Sequence, residues 1–130
     1  MPEPRTGRCN CGAVRFVTRG APVRVGLCHC LTCQRDAGGP FIAFGVWRSE
    51  DVTITGEVRE WGDTAYRRGF CGECGSRVGL LPEEGGVEVR LGALDDGGRG
   101  LVPEYELWTI RRQPWLAPVP GARQYDKDRT

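Results

Sequence analysis

Seven cysteines fall into three short groups: Cys9-Asn10-Cys11-Gly12, Cys28-His29-Cys30-Leu31-Thr32-Cys33 and Cys71-Gly72-Glu73-Cys74-Gly75. Thiolates are soft donors that suit zinc. A structural zinc is closed by four ligands, whereas a catalytic zinc keeps three protein ligands and a position for water or substrate. Seven divides as four plus three. The Cys71/Cys74 pair, followed by Gly75, has the form of a zinc knuckle, which supplies two ligands and needs a second pair; Cys9/Cys11, also followed by glycine, is its natural partner. Cys28, Cys30 and Cys33 remain as three thiolates of one loop, enough to hold a metal and one short of closing it.

Each set has a rival reading. Buried thiols or a redox pair are the alternative for the four, although thioredoxin-like chemistry would want a βαβ context that the sequence lacks. For the three, the alternative is a second closed site completed by His29, the chain's only histidine. Adjacent side chains of an extended segment point to opposite faces, which turns the ring away from a metal held by Cys28 and Cys30. His29 is therefore read as a non-ligand.

Bulk properties narrow the setting. A chain of 130 residues suits a single domain, 1–130, with one core that profits from a metal staple. Eighteen basic residues, 17 of them arginine, face 17 acidic ones for a net charge of +1, with no basic run, which disfavours nucleic acid as a partner. The N-terminal MPEPRTGR has no apolar centre, and no segment approaches the roughly 18 consecutive apolar residues of a membrane helix. The expectation is a soluble cytoplasmic protein, where thiols stay reduced and cysteine clusters are more often metal ligands than disulfides.

The elements that must position the cysteines read as β. Twenty glycines and nine prolines punctuate short segments and leave little room for helix. Strands are predicted at Ala13–Thr18, Val23–Leu27, Pro40–Trp47, Asp51–Thr55, Val58–Trp61, residues 65–70, Arg77–Leu81, Val87–Leu91 and Tyr105–Ile110, each rich in β-branched or aromatic residues. Val87-Glu88-Val89-Arg90-Leu91 alternates as a half-buried antiparallel strand does. One short helix is predicted at Thr32–Ala37. Asp95–Gly100 reads as an exposed loop, and residues 124–130, within a polar C-terminal stretch from 122, as a solvated tail.

The motifs GRCNCGAVRF, CHCLTCQRDAGGPFIAF, YRRGFCGECGSRVGL and ELWTIRRQPWL together resemble the glutathione-dependent formaldehyde-activating enzyme family, also called the Gfa or CENP-V/GFA domain, over about residues 7–116. The resemblance implies a mainly β, Mss4-like fold of antiparallel sheets around a structural zinc. It implies two zinc ions, the structural one on Cys9, Cys11, Cys71 and Cys74 and the catalytic one on Cys28, Cys30 and Cys33. The implied activity is that of a carbon-sulfur lyase condensing formaldehyde with glutathione to S-(hydroxymethyl)glutathione. Its partners would be a small-molecule thiol and an aldehyde, without nucleic acid or membrane, and a homo-oligomer is left open.

Chemistry makes such a site suitable. Three thiolates on a divalent zinc carry a net charge of −1, and an added thiolate would make it −2, so a nearby cation should compensate. Arg35, close after Cys33, is the nearest by sequence, with a solvated surface role as its alternative. Gly38 and Gly39 could bring backbone N–H groups to the substrate or simply form a turn. Glu106 stands where members of the family carry a histidine, in a form like P-x-x-H-I-W; as a carboxylate it could act as a base yet would disfavour an anionic thiol such as glutathione, or it could face water from a strand. Trp47, Trp61, Trp108 and Trp115 read as core or interface aromatics. A zinc-stabilised binding module without catalysis is the second reading. A methionine sulfoxide reductase would need a cysteine in the C-terminal half, and none follows Cys74.

Overall fold

The computed structural model of the chain describes residues 4–62 and 67–129. In chain order the strands are β1 (Arg5–Arg8), β2 (Arg15–Thr18), β3 (Arg24–Cys28), β4 (Ile42–Trp47), β5 (Val52–Thr55), β6 (Val58–Trp61), β7 (Arg68–Cys71), β8 (Gly79–Glu83), β9 (Gly86–Arg90), β10 (Tyr105–Leu107) and β11 (Arg123–Gln124), with a single α-helix, α1 (Leu31–Ala37), among the described residues. The mainly β, Mss4-like architecture with one short helix is the one expected. No helix among the described residues is long and apolar enough to cross a membrane.

Among the described residues three sheets form: a six-stranded one in the order β11-β10-β3-β4-β9-β8, a three-stranded one, β1-β2-β5, and the ribbon β6-β7. Pairing is antiparallel except at β10, which runs parallel to both β3 and β11. That departs from the all-antiparallel expectation. Parallel neighbours need a long crossover, and the excursion between β3 and β10 supplies one.

The core lies where apolar strand faces meet. Val14, Phe16, Val25, Trp47, Val78, Leu80, Val89, Leu91 and Leu94 are buried together with Cys9 and Cys71. Close approach explains one glycine here: a Cβ on Gly7 would lie 2.2 Å from the Phe16 ring. The polar face of β9 is not solvated as its alternation predicts. Arg90 is buried, its Nη1 2.8 Å from Asp36 Oδ2 of α1 and its Nε 2.6 Å from Glu88 Oε1, because the helix packs on that side of the sheet. Trp47 is fully buried, whereas Trp61 and Trp115 are exposed.

Of the predicted strand at 65–70, residues 65 and 66 lie outside the described residues, and β7 begins at Arg68. The segment predicted as Tyr105–Ile110 ends as a strand at Leu107, because Trp108 adopts the left-handed conformation (φ 56°, ψ 44°) and turns the chain. The predicted solvated tail is instead hydrogen-bonded into the fold. Arg123–Gln124 adds a strand beside β10, and then Tyr125 N donates to Glu106 O at 2.9 Å and Trp108 N to Lys127 O at 2.9 Å. Main-chain pairing of this kind leaves no trace in side-chain pattern, so sequence reading missed β11, and likewise β1, whose Arg-Thr-Gly-Arg has no apolar alternation.

Candidate metal centres and their cavity

The first centre grows from two knuckles. Cys9 directly follows β1 and Cys71 ends β7, and the chain then turns in each case through a glycine with positive φ, Gly12 at 82° and Gly75 at 77°. The turns close with Gly12 N donating to Cys9 O at 3.2 Å and Gly75 N to Cys71 O at 2.8 Å. Val14 N and Glu73 N point at the sulfurs of Cys9 and Cys71 (3.2 and 3.4 Å), the amide dipoles that stabilise a ligating thiolate. The sulfurs of Cys9, Cys11, Cys71 and Cys74 all lie within 4.8 Å of one another. The spacings Cys9–Cys11 of 3.6 Å and Cys11–Cys71 of 3.8 Å are far too long for a disulfide. They fit a tetrahedron with zinc–sulfur bonds of about 2.3 Å, whose edges are about 3.8 Å.

Cys28, Cys30 and Cys33 form the second group, their sulfurs also within 4.8 Å. Cys28 ends β3, and Cys30 and Cys33 are brought to one side by the first turn of α1, where the Cys30 sulfur caps the helix by accepting from Cys33 N at 3.3 Å. Cys30 is held far below the ordinary thiol range, first by hydrogen bonds from Cys28 and Cys33, while Cys28 is pushed up to about 12 and Cys33 up as well by sharing with that thiolate. Three donors so placed fit a metal and leave its coordination unfinished, as at a catalytic zinc.

His29 is not among these donors. Its ring is buried, with Nε2 2.7 Å from Glu106 Oε1 and an edge-on contact to Phe41, and its Nδ1 has no hydrogen-bond partner among the described residues. The alternation of the extended segment sends it to the opposite face from Cys28 and Cys30, as its neighbours' spacing predicts. Glu106 is neither a cavity residue nor a water-facing one. Its other oxygen accepts from Val119 N at 2.7 Å and from Gln124 Nε2 at 2.9 Å, and Arg112 Nη2 lies 3.3 Å from Oε1. Burial raises its pKa, but Gln124, the Val119 amide, His29 and Arg112 outweigh burial and hold it at about 2. Its charge is thus answered inside the fold and says nothing against an anionic thiol.

The three cysteines open on a cavity of about 430 Å³. Ile42, Phe44, Leu107 and Trp108 give it apolar wall, and Arg24, Arg68, Arg129, Glu83, Glu84, Glu88 and Asp128 give it charge. Arg68, at the start of β7, places Nη2 3.4 Å from Cys33 Sγ. It is the cation at the cluster; Arg35 is exposed on α1 and does not line the cavity. Sequence distance from the cysteines misled here, since β7 brings Arg68 from far along the chain. Gly38 and Gly39 do not line the cavity either; Gly38 is the left-handed cap of α1, its N–H donating to Gln34 O. Gln34 in turn ties the loop down, Nε2 donating to His29 O at 2.8 Å.

Three likenesses to known proteins accompany this geometry. A family model described as glutathione-dependent formaldehyde-activating enzyme matches residues 4–111. An uncharacterized lyase of Schizosaccharomyces pombe is 30% identical over 79 residues, which are 60% of this chain and 57% of that protein, so the match spans little more than half the length of that relative. A crystal structure of a Rhodobacter sphaeroides protein superposes with a TM-score of 0.50 at 16% identity, covering 92% of this chain and 98% of the other, a likeness of fold.

Proposed function

The chain belongs to the glutathione-dependent formaldehyde-activating enzyme family, and on that premise we propose that it is a zinc-dependent carbon-sulfur lyase, joining or splitting a small thiol and an aldehyde beside Cys28, Cys30 and Cys33. Cys9, Cys11, Cys71 and Cys74 would hold the structural zinc and Cys28, Cys30 and Cys33 the catalytic one. The observation that carries this reading is the opening of an incomplete three-cysteine set, with Arg68 against it, onto a cavity large enough for a small molecule. A binding module stabilised by zinc would have no use for that arrangement.

A zinc held by Cys28, Cys30 and Cys33 would supply affinity for soft sulfur and favour the ionised form of a thiol at neutral pH. The rest falls to the chain. Arg68 balances the negative charge that gathers at the cysteines, and the wall of Ile42, Phe44, Leu107 and Trp108 keeps that charge in a medium of low dielectric, where a cation counts for more than in water. In the joining direction the thiolate sulfur forms a bond to the aldehyde carbon, the carbonyl π pair moves to oxygen, and the proton lost by the thiol ends on that oxygen. Splitting is the reverse. Glutathione with formaldehyde is the pair suggested by the family's name, and the seven unpaired cysteines favour a reducing compartment such as the cytoplasm.

Exchange NMR on the zinc-loaded protein with a panel of thiols and formaldehyde tests the activity. Acceleration of at least one thiol–aldehyde pair above background, lost on Cys33→Ser, is the expected result; no acceleration for any pair would sink the enzyme reading.

A further inference from the structure

The family match stops at residue 111, yet the cavity does not, since Asp128 and Arg129 are part of its lining. The segment that carries them lies strapped along β10 and Trp108. Thr109 N donates to Tyr125 O at 3.0 Å, Trp108 N to Lys127 O at 2.9 Å and Trp108 Nε1 to Asp128 Oδ1 at 2.9 Å. A bulky residue in the left-handed region is strained, and these contacts hold Trp108 there with its ring in the cavity wall. Residues 123–129 are thus built into the site.

The charged groups of the lining differ in how far their hydrogen bonding is spent. Three of the acids have a protein donor, Glu88 from Arg90 Nε at 2.6 Å, Glu83 from Glu84 N at 2.8 Å and Asp128 from Trp108 Nε1, while exposed Glu84 has a loose ion pair with Arg129 Nη2 at 3.5 Å. Two of the cations have more to give. Among the described residues Arg24 Nε is buried with no partner, and the ion pair of Arg129 is a long one to Glu84, whose side chain is 81% exposed. Both arginines sit about Tyr105: burial raises its hydroxyl pKa, while the Arg24 charge, a hydrogen bond from Arg24 and the Arg129 charge draw it down, and Arg129 Cζ lies 5.5 Å from that ring. The guanidinium donors of Arg129, at the cavity wall, match the paired oxygens of a carboxylate, and Arg24 adds a second positive charge beside them.

We propose that Arg129, with Arg24 beside it, is a specificity-determining residue that receives a carboxylate of the thiol substrate, so that the C-terminal segment selects what is bound. This rests on the thiol–aldehyde reading for its substrate but not for its test. Glu84 releases Arg129 as the carboxylate arrives, the exchange of an exposed partner for a sheltered one.

The probes are 3-mercaptopropionate and 2-mercaptoethanol, which differ in carrying a carboxylate or a hydroxyl, titrated calorimetrically into the zinc-loaded full chain and also assayed with formaldehyde. Wild type should bind the carboxylated thiol at least about ten-fold more tightly, the scale of one hydrogen bond to a charged group. Arg129→Ala should remove that preference and leave the affinity for 2-mercaptoethanol unchanged; Arg129→Lys should restore part of it, and in the exchange assay KM should rise with kcat held. Unchanged melting of Arg129→Ala shows that the fold is intact. Preference in wild type that survives Arg129→Ala, or no preference in wild type, overturns the proposal. If binding preference follows Arg129 but no exchange is catalysed, the carboxylate site stands and the lyase reading fails.

Discussion

His29 and Glu106 meet 2.7 Å apart with both side chains almost wholly buried, an imidazole–carboxylate contact lodged between the cysteine loop and the strand beside it. The contact joins β10 to the residue flanked by two metal-site cysteines, and Glu106 further gathers Val119, Gln124 and Arg112. Removing the carboxylate strands several buried donors at once. Glu106→Ala should therefore cost about 3–5 kcal/mol of stability by chemical denaturation, the scale of breaking a buried pair from one side, with Glu106→Gln costing less because it keeps the shape.

The same carboxylate sets an acid limit. Its pKa is lowered from 4.5 to about 2 on folding, so its contribution is fully present above about pH 4.5 and is lost as pH falls from there toward 2. Thermal melting of wild type and Glu106→Gln between pH 6 and pH 2.5 should show the variant losing less on acidification. Parallel curves would mean that the group does not ionise as described.

Metal content should separate the two cysteine sets. Elemental analysis should find two zinc ions per chain in wild type, and one after Cys28, Cys30 and Cys33 are all replaced by serine, with the fold kept. Cys9→Ser or Cys71→Ser should instead unfold the chain or lower its melting point sharply, because both sulfurs are buried against the main core.

Two arginines discriminate charge at the cluster from charge near it. Arg68→Ala should lower the turnover of thiol–aldehyde exchange by roughly ten-fold or more, consistent with one charge-assisted hydrogen bond lost. Arg35→Ala should leave turnover unchanged and stability within about 0.5 kcal/mol, as is usual for an exposed substitution.

The helix depends on an ion pair that its own sequence does not advertise. Asp36→Ala would leave Arg90 buried with Glu88 alone, and should cost about 3–5 kcal/mol by denaturant titration. Arg90→Met, which fills the space without a charge but leaves buried Asp36 with only the long contact to Arg77 at 3.5 Å among the described residues, should also destabilise, while the double change Asp36→Ala with Arg90→Met should recover much of the loss.

What the sequence made legible was local. The four-plus-three division of cysteines, most strands and α1 follow from spacing and alternation that neighbouring residues impose on each other. What stayed hidden depends on distant pairing: Arg68 at Cys33, the burial of Glu106 and Arg90, and the return of residues 123–129 beside β10. A charged side chain looks solvent-bound in a sequence until the element that covers it is known. Glu106 misled for that reason, its neutralising donors coming from residues 112 to 124.

Cys30 has two duties, donating a sulfur to the three-cysteine set and capping α1 through Cys33 N. Oxidation of that sulfur to a sulfinate would remove a soft donor and alter the cap together. Loss of metal and fraying of α1 then become one event, so the redox history of the site can be followed as helical circular dichroism as well as by its metal. Cys30→Ser separates the two, since a serine hydroxyl can still cap the helix while offering zinc far less.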